Sequence, residues 1–227
     1  MKVTIMVNQK RSLLETYSLP LKDIERQSFR IIKGLLPDLK LSPQEIQVVT
    51  RIVHTFGEPD IARQVLFHPQ SIDTAIKALL EGRTIFTDVR MVAVGIKSKL
   101  AATLGCQIQC ALDLAIDDEN EAAGITRTAR AMRSLGYKLD GSLVAIGNAP
   151  TALLALLDMV EEGKASPAII IGMPVGFVAA TEAKMELAKR NTPFITIQGT
   201  RGGSTVTAAT VNALMLLAIE GLEKKRR

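Results

Sequence analysis

Hydrophobic positions along the 227-residue chain fall into two textures that meet near residue 83. In the first, apolar residues recur every three to four positions, the spacing of helices that bury one face. Residues 23–36 place Ile24, Phe29, Ile31, Ile32 and Leu35 on such a stripe, closed by Pro37, with Glu25 and Ser28 three residues apart on one side. Ser42-Pro43-Gln44-Glu45 opens a second helix with a capping box: a serine that accepts from the backbone, a proline in the first turn and a glutamate that reaches back. That helix is expected to bury Ile46, Val49, Ile52 and Val53 and to end near His54. A third, over residues 69–81, presents Ile72, Ala75, Ile76, Leu79 and Leu80 and stops at Gly82.

The second texture is a series of short, continuous apolar runs at residues 84–87, 107–110, 143–146, 168–171 and 194–197, each followed by a small-residue turn. Unbroken apolar runs suit strands covered on both faces, and hence a parallel sheet with crossover helices. Thr126 is placed to cap one such helix, Asn148-Ala149-Pro150 opens another ended by Gly163, and Thr181 begins a third. The last starts at Ser204 and is apolar nearly all round, which suits burial in the fold or at a subunit interface. The expected class is therefore a doubly wound α/β fold. Residues 83–227 form its parallel core, 23–82 a helical elaboration, and 1–22 an N-terminal extension in which residues 2–7 read as a short strand. No repeat or long linker divides the chain, so a single domain over 1–227 is expected.

Composition narrows the chemistry. Aromatic residues are 4% and tryptophan is absent, so platforms for stacking bases are not expected. The net charge of +5 owes much to the terminal run Lys224-Lys225-Arg226-Arg227, a solvated end, and the nearly neutral remainder argues against nucleic acid. Cys106 and Cys110 have neither zinc nor redox spacing and read as core thiols. Asp117, Asp118, Glu119 and Glu121 lack a nearby histidine or cysteine and read as an exposed helix start, so no protein-bound metal is expected. No signal peptide or uninterrupted apolar span of membrane length is evident, which leaves no membrane role and a cytoplasmic location as the expectation.

In an open parallel sheet, ligands bind beyond the carboxyl ends of the strands. Those ends read Thr87-Asp88-Val89-Arg90, Asp113, Gly147-Asn148-Ala149-Pro150, Gly172-Met173-Pro174-Val175-Gly176 and Gly199-Thr200-Arg201-Gly202-Gly203-Ser204. Such loops allow close backbone approach, and the helices after them offer free N–H groups to anions. Each also has a plainer role: the glycines as turns, Asn148 as an N-cap, Asp88 as a cap or as a partner of Arg90. Arg201 is either a clamp for a carboxylate or phosphate or a solvated loop charge. The phosphate-binding patterns G-x-x-x-x-G-K-[ST] and G-x-G-x-x-G are missing, as is the hydrolase elbow G-x-S-x-G, so a nucleotide-binding protein ranks far behind.

Of the two histidines, His68 precedes Pro69 at the entry to a helix, where added positive charge is disfavoured. His54 lies at a helix C-terminus, whose free carbonyls suit an imidazolium. It is therefore either a capping residue of the last turn or a proton donor.

Taken together, several stretches resemble precorrin-8X (cobalt-precorrin-8) methylmutases, from about Ile24 to Leu217. They are Ile24-Glu25-Arg26-Gln27-Ser28-Phe29, Val53-His54-Thr55-Phe56-Gly57, Thr87-Asp88-Val89-Arg90-Met91-Val92, Thr126-Arg127-Thr128, Ile146-Gly147-Asn148-Ala149-Pro150, Gly172-Met173-Pro174-Val175-Gly176 and Arg201-Gly202-Gly203-Ser204. Thr128 departs from the family's frequent serine. The resemblance implies a three-layer flavodoxin-like sheet of five parallel strands in the order 2-1-3-4-5, and a homodimer. It implies an isomerase of cobalamin biosynthesis that moves a methyl group from C11 to C12 of a tetrapyrrole without a cofactor. The family's catalytic histidine falls on His54 and a substrate-contacting arginine on Arg127.

A large apolar ring fringed with carboxylates calls for aliphatic walls and a polar rim. Met91, Met173, Val175 and Phe177 suit the walls. Ser28, Thr87, Arg127, Asn148, Arg201 and Ser204 suit the rim, with Thr55, Asp88 and Gly202 beside them. The competing reading is a corrinoid carrier that holds the product for the next enzyme of the pathway.

Overall fold

The computed structural model describes residues 12–13, 21–115 and 124–225. The strand expected at residues 2–7, the acidic cluster at 117–121 and the last two residues of the basic tail lie outside the described residues. From residue 21 the described chain runs through two helices, α1 (Leu21–Leu35) and α2 (Pro43–Phe56), and a 3₁₀ segment at Pro59–Gln64 leads into strand β1 (Val65–Phe67). The elements that follow are α3 (Ser71–Leu80), β2 (Ile85–Thr87), α4 (Arg90–Gly95), α5 (Ser98–Thr103), β3 (Ile108–Cys110), α6 (Ala111–Leu114) and α7 (Arg127–Leu135). A second 3₁₀ turn precedes β4 (Leu143–Ile146), and α8 (Pro150–Glu161), β5 (Ile169–Gly172), α9 (Ala180–Ala188), β6 (Phe194–Ile197) and α10 (Ser204–Lys225) complete the described chain.

The sheet order is β1-β6-β5-β4-β2-β3. Every pairing from β6 to β3 is parallel, so the five runs read from the sequence become adjacent strands with β2 and β3 to one side of β4. The expectation of a five-stranded, all-parallel sheet is corrected by β1, which pairs antiparallel with β6 in the register Val65↔Ile197, Leu66↔Thr196, Phe67↔Ile195. Three residues are too few to show a period, and Val65-Leu66-Phe67 sits directly after a 3₁₀ segment, so the pairing comes from the waiting edge of β6. Residues 23–82 are thus not purely helical: the segment contributes an edge strand to the sheet.

Strand residues alternate between two apolar cores. Leu143, Ala145, Ile169, Ile171, Ile195 and Ile197 face a core shared with α2, α3, α4, α5 and α10. Val144, Ile146, Ile170 and Phe194 face the other, shared with α7, α8 and α9. Burial on both faces explains why these strands read as continuous apolar runs.

Helix α10 packs against α2, α3 and α4 as well as against β4 and β5. Val211, Leu214, Met215 and Ala218 are buried within the chain, which accounts for its all-round apolar character without a subunit interface. It is long and apolar enough to cross a membrane by composition alone, yet most of that window is buried inside the fold. Both cysteines are buried, and burial pushes the Cys106 thiol up from its ordinary value.

Sequence signals for the helix ends hold closely. Ser42 accepts from the Glu45 N–H while Glu45 accepts from the Ser42 N–H, and Gly57 closes α2 in the left-handed conformation. The stripe expected on α1 is only partly covered: Ile32 is buried and Phe29 half-buried, but Ile24, Ile31 and Leu35 remain exposed.

Candidate active site

The Gly57 turn sets where His54 goes. One residue beyond it, Glu58 forms an ion pair with Arg201 in the glycine-rich loop after β6. Six further residues carry the chain to Val65, opposite Ile197 at the carboxyl end of β6. The C-terminal end of the His54 helix is therefore tied to the carboxyl edge of the sheet at two points, although α2 lies outside the sheet in sequence.

Around the imidazole the partners come from α1. The Ser28 hydroxyl lies 2.9 Å from His54 Nδ1, and the Phe29 ring meets His54 edge-on with centroids 5.4 Å apart. Arg51, one turn before His54, stacks its guanidinium 4.9 Å above the Phe29 ring and pairs with Glu25 at 2.9 Å. Glu25 and Ser28, three residues apart, thus meet Arg51 and His54, three residues apart. The ring of His54 is exposed, held by Ser28 on one nitrogen and by Phe29 at its edge. Ser28 was expected at the substrate's rim; the structure places its hydroxyl on the histidine. Thr55, half-buried, donates to the Arg51 carbonyl of its own helix.

The strand-end loops are linked one to the next. Asp88 lies at the point where β3 branches from β2 to one side and β4 to the other, the crevice where α/β sheets commonly receive ligands. Here the chain fills it with its own carboxylate. Asp88 is fully buried, and its oxygens accept from the N–H groups of Gly147 (3.1 Å), Asn148 (2.8 Å) and Ala149 (2.8 Å). Burial raises the carboxyl above its ordinary value, and these N–H donors pull it back.

Four expectations change as a result. Asp88 is an internal brace and does not reach the ligand face; nor is it the partner of Arg90, which pairs with Asp113. Asn148 is not an N-cap, because Ala149 holds that position and the strand-end carboxylate meets the free N–H groups. Those N–H groups are already occupied and are not left for a substrate carboxylate. Thr87 is also fully buried, its hydroxyl donating to the Val89 carbonyl at 3.3 Å.

Arg127 opens α7 behind the cap Thr126, and Thr126 Oγ1 lies 2.7 Å from Thr151 Oγ1 at the start of α8. That contact brings the Arg127 turn beside the Asn148 loop. On the other side, a Cβ at Gly147 would lie 2.9 Å from Ser204 Cα, so the β4 loop abuts the start of α10. The loops after β5 and β6 are joined by hydrogen bonds from Gly203 N–H to the Met173 carbonyl (2.8 Å) and from Gly176 N–H to the Thr200 carbonyl (3.1 Å). At Gly202 a Cβ would stand 2.2 Å from that same Met173 oxygen, so only glycine fits.

Met173, expected against the ring, is instead fully buried, with its sulfur 3.7 Å from the Thr210 hydroxyl. Ser204 is buried at the first turn of α10. Exposed at this edge are His54, Arg127, Asn148, Val175 and Arg201, together with the apolar Met91, Val94, Phe177 and Val178.

Two contributors escaped the sequence reading. Glu58 carried no local signal, since its partner lies 143 residues away. Lys184 is buried on α9 and donates to the Arg201 carbonyl at 2.6 Å. A signal for it existed: Ala180, Lys184 and Leu187 repeat at helical spacing, placing a lysine on the stripe that faces the core.

Comparison with known proteins follows the same span. A family model described as CbiC, precorrin-8X methylmutase, matches residues 23–217. The cobalt-precorrin-8 methylmutase of Priestia megaterium is 40% identical over 202 residues, covering 88% of this chain and 90% of its own. The precorrin-8X methylmutase of a Sinorhizobium species is 40% identical over 195 residues, covering 84% and 92%. The crystal structure of precorrin-8X methyl mutase from Thermus thermophilus aligns with a TM-score of 0.79 at 35% identity, covering 88% of this chain and 98% of that one.

Proposed function

The chain belongs to the precorrin-8X methylmutase family, and from that premise we propose that His54 is the proton donor for its reaction. The protein is a methylmutase, an isomerase of cobalamin biosynthesis that moves a methyl group from C11 to C12 of (cobalt-)precorrin-8. The carrier reading finds no support among its relatives.

The observation that carries the assignment is the Ser28–His54 contact. A serine hydroxyl donating to Nδ1 fixes the neutral imidazole as the Nε2–H tautomer; once the ring is protonated, the same hydroxyl turns to accept from Nδ1. With the serine donating, or with the ring protonated, Nε2 bears the proton offered to substrate. Protonation of, or a hydrogen bond to, the conjugated ring system draws electron density toward ring C and favours the methyl shift. General acid assistance of this kind is worth about 10²–10⁴-fold. The rest comes from holding the macrocycle in a reactive geometry.

The substrate is a polycarboxylate tetrapyrrole, and the exposed groups at the carboxyl edge suit it. Arg127 and Arg201 offer guanidinium groups to peripheral carboxylates, and Asn148 offers an amide. Met91, Val175 and Phe177 offer apolar cover to the ring. Arg201 already holds one carboxylate, that of Glu58, and a substrate carboxylate would take its place. Exposed pairs of this kind contribute little stability, so the exchange costs little.

We also read the protein as a homodimer that hands its product to the next enzyme of the pathway. Val94, Phe177 and Val178 are 81%, 93% and 84% exposed, apolar side chains that favour a covering partner in addition to substrate.

Ser28→Ala tests the carrying contact. Loss of one hydrogen bond to the imidazole should lower kcat about five-fold with KM unchanged. Unchanged kcat would remove the reason for assigning Ser28 to the histidine.

A further inference from the structure

The most unusual buried group is linked to the end of the His54 helix through Arg201. Lys184 is 2% exposed, and its Nζ donates at 2.6 Å to the carbonyl of Arg201, with no carboxylate paired to it among the described residues. It sits on the wall of a cavity of about 210 Å³ between α9 and β6, together with Thr181, Thr196 and Gly199. A lysine so placed costs free energy, since burial alone lowers its pKa to about 8. A hydrophobic residue would fold at least as well there, so the ammonium calls for another account.

The account lies in what it holds. From one side, the loop 199–203 is fastened to the β5 loop by the Gly203–Met173 and Gly176–Thr200 hydrogen bonds. Gly202 lets the two backbones approach to a distance that a Cβ would block. A third tie comes from the other side, where Lys184 donates to the Arg201 carbonyl. The Arg201 side chain then extends to Glu58, beside the end of the His54 helix.

We propose that Lys184 is a positioning residue: by anchoring the Arg201 carbonyl it fixes where the Arg201 guanidinium stands to receive a carboxylate of the substrate. The proposal rests on Arg201 being a carboxylate clamp, as read above. Lys184 touches no substrate and acts through the loop alone.

The test uses Lys184→Met, Arg201→Ala and the double variant, with steady-state kinetics on precorrin-8 and amide exchange of the folded protein. Lys184→Met should raise KM roughly ten-fold, the scale of one charge-assisted contact, while kcat stays within about two-fold. Its thermal midpoint should stay level or rise, because the buried charge is gone. The Gly203 amide should exchange faster, while the Gly147 amide, held by Asp88, should not. On the Arg201→Ala background, Lys184→Met should add nothing further to KM.

Equal effects of Lys184→Met on both backgrounds, or unchanged KM and unchanged exchange, would overturn the proposal. Unchanged KM in Arg201→Ala alone would instead refute the clamp, and faster Gly203 exchange in Lys184→Met would still establish the anchor. If Lys184→Met fails to fold, Lys184→Gln, which keeps a neutral donor, gives the same readouts, with a smaller rise in KM expected.

Discussion

Single residues divide here into those exposed at the candidate site and those buried beneath it. His54 and Asp88 were both candidate site residues in the sequence, and the structure sends them opposite ways: His54 to an exposed surface against Ser28, Asp88 to full burial under three N–H donors. Asp88→Asn tests the brace. An amide turns one acceptor into a donor facing backbone donors, so the variant should lose about 2–4 kcal/mol of stability in urea unfolding. Unchanged stability would mean that Asp88 holds nothing. Sequence could not separate the two roles, because an aspartate at a strand end looks the same whether its oxygens face solvent or the next loop. His54 was legible through its helix end, and Glu58 was not, since only folding brings it to Arg201.

Among elements, the joined β5 and β6 loops carry the most consequence. Gly202→Ala would press a methyl group into the Met173 carbonyl and force the loops apart. The variant should raise KM about ten-fold or more with a smaller change in kcat, since displacing a positioning loop weakens binding more than it removes an acid. Equal kinetics in mutant and wild type would contradict the zipped-loop account.

Helix α9 supplies a pH test. Lys184 has a folded-state pKa lowered to about 8, below its ordinary value, so above pH 8 the unfolded chain binds the proton more readily than the native one. Stability from this group therefore rises with pH from about 8 up to the ordinary lysine value and is lost as pH falls back through about 8. Denaturant unfolding of wild type and Lys184→Met at pH 7.5 and 10 should show their difference moving in favour of wild type at the higher pH. A difference independent of pH would contradict a depressed Lys184.

Most elements were legible because their signals are local. Strands β4, β5 and β6 are short, fully buried runs made mostly of apolar residues, and α2 carries its complete capping box. Strand β1 was missed because three residues show no period and its partner is remote. The α1 stripe was read as a buried face because periodicity records which residues share a side, not whether anything covers it.

On the scale of the whole molecule, the site is a meeting of two layers. The groups proposed to hold carboxylates come from the sheet's carboxyl edge, and the proposed proton donor comes from helices that precede the parallel strands in sequence and join them through β1, Glu58 and α10. The proposed homodimer over the exposed apolar residues predicts an unfolding midpoint that rises with protein concentration, measured by thermal melts over about a hundred-fold range. A midpoint independent of concentration would count against the dimer.

The two-layer origin also predicts that acid assistance and ring binding can be separated, and His54→Ala is the direct measurement. Substoichiometric wild-type protein should convert all of the substrate, followed through the ring's visible absorption. The variant should turn over about 10²–10⁴-fold more slowly while binding the corrinoid product with wild-type affinity. Near-normal turnover by His54→Ala would contradict the account at its centre.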